Sequence, residues 1–261
     1  LLVAPACFSL CEYLRGWVVT GFPWLTFGYS QAPGGSFDGP LSGFAPLAGV
    51  HAVSWLLALS AAMLITLARQ AAGFSLPRRT RLALLAGLLA IWGVAAGLRH
   101  LEWSTQNGPA ITAALLQGNV PQELKWRADQ QESTLLNYAD LVQSTRARLI
   151  VLPETALPGF LDQMPAGYLR ALAQHAAKNG GDLIAGVPVA ERAQAGVDPY
   201  RYANSAVSMG LSPNQRYDKQ HLVAFGEFIP PLFSWVYRWL KIPLAGFTPG
   251  DAGQAPMRLA G

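Results

Sequence analysis

Apolar residues are distributed along this chain in two unlike ways. From residue 44 to residue 68 nearly every side chain is apolar, and His51 is the one ionisable group. A helix needs about 20 such residues to cross the hydrocarbon core of a bilayer, so the stretch predicts a spanning helix. Residues 82–98 form a second uncharged run, containing Gly87, Gly93 and Gly97, a residue type that lets membrane helices approach closely. A buried helix of a soluble core is the other reading of this shorter run. Residues 1–20 are a third candidate, interrupted by Glu12 and Arg15. Three spans is the reading the pattern favours.

Beyond Asn107-Gly108-Pro109 the character changes. Short β-branched runs at 111–116, 149–152, 182–187 and 203–209 predict strands. Residues 129–145 and 168–178 carry helical periodicity, the first with Leu135, Leu136, Ala139 and Val142 on one face. Strands alternating with helices indicate an α/β sheet domain. The expected organisation is a membrane domain over residues 1–107, with about three transmembrane helices, followed by an α/β domain over residues 108–261.

Charge placement orients the spans. Arg69, Arg78, Arg79 and Arg81 fall between the second and third, and clustered Arg in a short connection marks the cytoplasmic side. The chain after Asn107 and the connection over residues 21–43 then lie on the opposite face. Phe22, Trp24, Phe27 and Tyr29 in that connection suit the headgroup layer, where simple anchoring accounts for most of them. Glu12 and Arg15, spaced i,i+3, either pair on a helix or sit at the interface.

Composition narrows the function classes. Charged residues make up 13% of the 261 and hydrophobic ones 51%, with 8 Trp; soluble domains average about 25% charged. The formal charge is +4, without a Lys/Arg run interleaved with aromatics, so nucleic acid is not an expected partner. Cys7 and Cys11, one helical turn apart in an apolar segment, read as small buried hydrophobes. The histidines His51, His100, His175 and His221 are scattered, and neither a metal nor a cofactor is expected. Gly34-Gly35-Ser36-Phe37-Asp38 fails the nucleophile-elbow pattern. Beginning Leu1-Leu2-Val3, the chain reads as a fragment that starts inside an apolar segment.

Two segments carry candidate chemistry. Leu149-Ile150-Val151-Leu152-Pro153-Glu154 ends an apolar strand on a carboxylate, and Arg216-Tyr217-Asp218-Lys219-Gln220-His221-Leu222-Val223-Ala224-Phe225-Gly226-Glu227-Phe228-Ile229-Pro230 holds a lysine and a second carboxylate. Taken singly, Glu154 is also a surface residue at a strand exit, Lys219 a solvated lysine and Glu227 a turn residue. Together the segments resemble the nitrilase superfamily, whose sites combine a Glu base, a Lys and a Cys nucleophile. The longer one looks most like the apolipoprotein N-acyltransferase branch, as do Glu12-Tyr13-Leu14-Arg15-Gly16-Trp17 and Thr20-Gly21-Phe22-Pro23-Trp24.

The resemblance implies an α-β-β-α sandwich, incomplete here, with Glu154 as general base, Lys219 stabilising the tetrahedral intermediate and Glu227 assisting. It implies that Trp126 lies near the substrate cavity, that Asn204 shapes the site and that Trp24 belongs to the substrate-binding set. A lone Trp is otherwise core, and a strand-end Asn otherwise a turn residue. The family places its Cys on a strand some tens of residues beyond the lysine, whereas no Cys follows Cys11. Truncation just before that strand is the expectation, with an inactive scaffold as the alternative. The implied reaction moves an acyl chain from a phospholipid to the N-terminal amine of a diacylglyceryl-modified lipoprotein, at the periplasmic side of a bacterial inner membrane. A membrane-tethered amidase acting on a small amide is the competing activity.

Overall fold

The computed structural model describes residues 1–32, 39–69, 73–121, 123–192, 200–230 and 246–260. The segment Gly34-Gly35-Ser36-Phe37-Asp38 lies outside the described residues. The chain forms two compact units, Leu1–Asn107 and Gly108–Gly261.

The first unit is helical: α1 (Val3–Arg15), α2 (Ala45–Ala68) and α3 (Arg78–Leu98). With the short helical turn before it, α2 runs from Pro40 to Ala68, and it and α3 are long and apolar enough to cross a membrane. A soluble core would bury their side chains, yet Leu89 is 74% exposed and Ile65 62%. The apolar pattern predicts three spans, and among the described residues the structure supplies two of that length. The 13 residues of α1 rise only about 20 Å at 1.5 Å each, short of the ~30 Å hydrocarbon core. Arg78, Arg79 and Arg81 belong to the first turn of α3 rather than to a connection, and Arg69 stacks on the Phe74 ring 4.4 Å away.

Polar groups tie this unit together where small residues let backbones approach. Trp92 Nε1 donates to Ser60 Oγ at 3.1 Å, joining α3 to α2, and Gly28 N donates to Ser54 Oγ at 2.8 Å. A Cβ on Gly28 would lie 2.3 Å from Val50 O, so only glycine fits there. Glu12 is buried; its Oε1 accepts from Phe27 N at 2.8 Å and lies 3.8 Å from the Arg15 guanidinium. Its main partner is thus a loop amide and not the nearby arginine. Cys7 and Cys11 are exposed and unbonded, against the expectation of burial. The buried positions of α1 are Pro5 and Glu12, and at 100° per residue the two thiols fall on the opposite side of the helix.

In the second unit the elements are β1 (Ala113–Leu115), α4 (Ala128–Ser144), β2 (Leu149–Val151), α5 (Ala166–Lys178), β3 (Asp182–Arg192), β4 (Tyr200–Gly210) and β5 (Arg216–Asp218). Among the described residues they make one five-stranded sheet in sequential order. β1, β2 and β3 are parallel, each joined to the next through a helix as parallel pairing requires; β3, β4 and β5 are antiparallel. Leu183, Ala185, Val187 and Val189 alternate along β3 and pack with Ile150, Val207 and Met209 against α4 and α5. On α4 the buried stripe is Leu135, Tyr138 and Val142, and Leu136 is 58% exposed. Leu136 lies one position off that i,i+3,i+7 row, and the Tyr138 ring takes the place expected of it.

Asp182, at the start of β3, is fully buried. Its carboxylate accepts from Ser212 N, Ser212 Oγ and Ala260 N, each at 2.7 Å, and so pins two distant segments to the strand. Burial alone would raise its pKa, but these donors hold it below the ordinary 3.8. Asp182→Asn turns one acceptor oxygen into a donor and strands at least one buried N–H, at a cost of about 1–3 kcal/mol. Denaturant unfolding at pH 7 should register that loss. Because the folded pKa is depressed, the carboxylate's contribution is fully present above 3.8 and fades as pH falls through the lower folded value. The difference between wild type and variant should therefore shrink in strong acid. Equal stabilities at pH 7 would contradict the assignment.

Candidate active site

The face of β3 and β4 away from the helices carries Gly186, Pro188 and Asn204, with Pro188 paired to Asn204. Gly186 is there for space. A Cβ on it would lie 2.5 Å from both Pro153 O and Thr155 N and 2.6 Å from Glu154 Cα. The chain leaving β2 therefore crosses directly over Gly186, fixed by Leu152 N donating to Ile184 O and Leu157 N donating to Gly186 O. Thr155 adopts φ 51°, a left-handed conformation uncommon for a β-branched residue, and this turns the strand exit so that Glu154 is displayed. Sites of open α/β sheets commonly form at such carboxyl ends of strands.

Two further segments converge on Glu154. Pairing of β5 with β4 brings Lys219 beside Asn204, whose carbonyl accepts from Lys219 N at 2.8 Å. The loop after it folds back on Val223 O, which accepts from the amides of Gly226 and Glu227, with Phe225 at φ 64°. Glu227 is thereby directed inward. Lys219 Nζ lies 2.9 Å from Glu154 Oε1 and 3.0 Å from the Glu227 carboxylate. Asn204 Nδ2 donates to Oε1 of both carboxylates.

The two carboxylates are not equivalent. Glu227 is 13% exposed and uses both oxygens, Oε2 accepting from Val223 N at 2.7 Å. Glu154 is 59% exposed, and among the described residues its hydrogen bonds all fall on Oε1. Its second oxygen has no hydrogen-bond partner among the described residues. Burial pushes the Glu154 carboxyl up, but hydrogen bonding and charge from Lys219, with Asn204 and Lys125, bring it below its ordinary value. For Lys219, burial works downward and is outweighed by the two carboxylates, which raise its pKa. An ionised carboxylate with one open oxygen, beside a fixed ammonium, can take a proton from a nucleophile and balance negative charge developing next to it.

Lys125, Trp126, Glu154, Thr155, Asn204, Lys219, Val223, Gly226, Glu227 and Phe247 line a cavity of about 330 Å³. Glu154, Lys219, Glu227, Asn204 and Trp126, all singled out in the sequence, thus meet at one place. Trp24 belongs to the first unit, where it stacks on Phe22 with ring centroids 5.7 Å apart. Lys125 was not singled out; its Nζ donates to the Glu154 carbonyl at 3.1 Å. Only its adjacency to Trp126 hinted at it, because nothing in a single sequence joins position 125 to position 154. Among the described residues no group of three or more His, Cys, Asp or Glu side chains is arranged to hold a metal.

Comparison with known proteins adds to this geometry. Residues 112–251 match the carbon-nitrogen hydrolase family, and residues 1–63 match the apolipoprotein N-acyltransferase N-terminal domain. A protein of Chromobacterium violaceum named apolipoprotein N-acyltransferase is 47% identical over the whole of this chain, which covers 48% of that protein. Proteins of the same name from Nitrosomonas europaea and Methylococcus capsulatus are 44% and 40% identical, over 98% and 100% of this chain and 48% and 49% of their own lengths. The chain therefore spans about half the length of the curated relatives it matches.

Proposed function

The chain belongs to the carbon-nitrogen hydrolase family, in its apolipoprotein N-acyltransferase branch, and from that premise we propose that its protein acylates lipoproteins. The acyl donor is a phospholipid and the acceptor is the N-terminal amine of a diacylglyceryl-modified lipoprotein. The observation that carries the reading is the Glu154 carboxylate, whose Oε1 is held by the Lys219 ammonium and Asn204 while its Oε2 has no hydrogen-bond partner among the described residues. Glu154 takes the proton of a cysteine thiol, and the thiolate attacks the donor's ester carbonyl. Lys219 balances the oxyanion. The C–O bond then breaks, and the lysophospholipid leaves with the proton held on Glu154. In the second half the acceptor amine attacks the thioester, the N–C bond forms, the S–C bond breaks, and the amine's proton returns to the thiolate through Glu154.

Glu227 and Asn204 hold Lys219 and Glu154 in register, while Trp126 contacts the donor at the cavity wall. Trp24, with Phe22, meets lipid at the bilayer surface. The reading needs a thiol that the catalytic unit of this chain, with no Cys after Cys11, does not itself supply; the relatives it matches are about twice as long. Residues 108–261 supply one α-β half of a nitrilase-type sandwich, whose second sheet covers the Gly186–Asn204 face. Residues 1–107 are the membrane part, with α1 contributing to a third span. Arg69, Arg78, Arg79 and Arg81 put the connection from α2 to α3 in the cytoplasm and the catalytic unit in the periplasm, on a multi-pass protein of the bacterial inner membrane.

The test is transfer of a labelled acyl chain from phospholipid to a synthetic diacylated peptide by the full-length protein. A triacylated peptide should form, and the 261-residue chain alone should yield none. Hydrolysis of small amides without any transfer would favour the amidase reading instead.

A further inference from the structure

The cavity holds two ammonium groups, and their circumstances differ. Lys219 is engaged by both carboxylates, at 2.9 and 3.0 Å. Lys125 donates to the main-chain oxygen of Glu154, a neutral acceptor, and among the described residues no carboxylate lies within hydrogen-bond reach of it. An ammonium has three donors, and among the described residues one of them is taken, by the Glu154 carbonyl. Lys125 is also partly desolvated, and burial draws its pKa below the ordinary lysine value although the Glu154 charge opposes this. A partly desolvated cation next to a neutral carbonyl is stabilised by any anionic group that enters.

At rest Glu154 and Glu227 offset Lys125 and Lys219, and moving the thiol proton to Glu154 makes a thiolate as it neutralises a carboxylate, so the site's net charge stays the same. An anionic group that enters beside Lys125 therefore meets no excess of negative charge. The cavity, about 330 Å³, lies near the lower end of the ~300–1,000 Å³ typical of small-molecule sites, so it suits the polar end of a lipid rather than its chains.

We propose that Lys125 binds the phosphodiester of the acyl donor, so that the cavity selects phosphate-bearing glycerol esters over neutral ones. This rests on the cavity being the acyl-transfer site. Lys125 is a substrate-binding residue here, and its bond to the Glu154 carbonyl leaves its remaining donors facing the ligand.

Ether-linked analogues separate this binding from turnover, because they cannot donate an acyl chain. We would measure the affinity of the full-length protein in detergent for dihexyl-ether phosphatidylethanolamine, for the neutral dihexyl glycerol ether and for inorganic phosphate. Wild type should prefer the phosphodiester ether over the neutral ether by about tenfold or more, the scale of one charge-assisted contact. Lys125→Met should lose that preference while binding the neutral ether as before, and Lys125→Arg should keep it. Equal weakening toward both ethers would mean that Lys125 only supports the Glu154 turn, and unchanged affinities would remove it from the site; either overturns the proposal. So would phosphate displacing the lipid analogue as readily as it binds alone, the mark of a free-phosphate site. Should the Met variant fail to fold, salt serves in its place. The wild-type preference should shrink between about 10 mM and about 500 mM salt, and a preference that is absent or salt-independent overturns the idea. These ligands are never acylated from or hydrolysed, so a negative result here leaves the transfer assay unaffected, and the reverse.

Discussion

Glu154→Gln is expected to lower the rate of acyl transfer by about 10²-fold or more, the usual scale for loss of a general base. The amide keeps the shape, and its oxygen can still accept from Lys219 and Asn204 in place of Oε1. It cannot take a proton from a thiol. Folding should be little affected, because the replaced oxygen has no hydrogen-bond partner among the described residues and the side chain is 59% exposed. The check is kcat/KM for peptide acylation alongside the thermal unfolding midpoint, and a variant within a few-fold of wild type would remove Glu154 from the mechanism. The depressed pKa of Glu154 also sets a direction for pH. The base should stay ionised down to below 4.5, its ordinary value, so the acid limb of the wild-type profile should lie in that range.

Lys219→Met should be comparably severe, with a different signature. The oxyanion loses its partner, an effect of about 10²- to 10³-fold on kcat. Glu154 and Glu227 would then share Asn204 Nδ2 with no cation between them. Two carboxylates so placed cannot both ionise freely, so one pKa must rise. The residual activity should accordingly show its acid limb at higher pH than wild type, while phospholipid still binds. An unshifted profile, or a kcat near wild type, would return Lys219 to the class of surface lysines.

Where a signal is long and one-dimensional, the sequence carried the answer. Two apolar runs became α2 and α3, and four β-branched runs became β1 to β4, with β3 and β4 extended to 11 residues each by their mutual pairing. Where a feature depends on a neighbour distant in sequence, the sequence was silent. β5 is three residues long and exists only because β4 offers an edge. Tyr138 displaced Leu136 from the buried face because position in the helix, not hydrophobicity, decides which side chain meets the sheet. The two exposed cysteines follow the same rule.

The candidate site divides along that line too. Glu154, Lys219 and Glu227 were legible because each sits in a segment resembling a known family. Their inequality was not, since it lies in which carboxylate oxygen each hydrogen bond uses. Gly186 gave no sign that its missing side chain makes room for residues 153–155, and Lys125 none that it reaches a carbonyl 29 residues later.

Glu154 and Lys219, on this reading, serve a thioester. The most direct test is the intact mass of the full-length protein after incubation with phospholipid and no acceptor. Wild type should gain one acyl chain on a cysteine, labile to hydroxylamine and discharged when diacylated peptide is added, and Glu154→Gln should not. A wild-type protein that never gains the acyl mass, or a Gln variant that gains it at the wild-type rate, would contradict this reading.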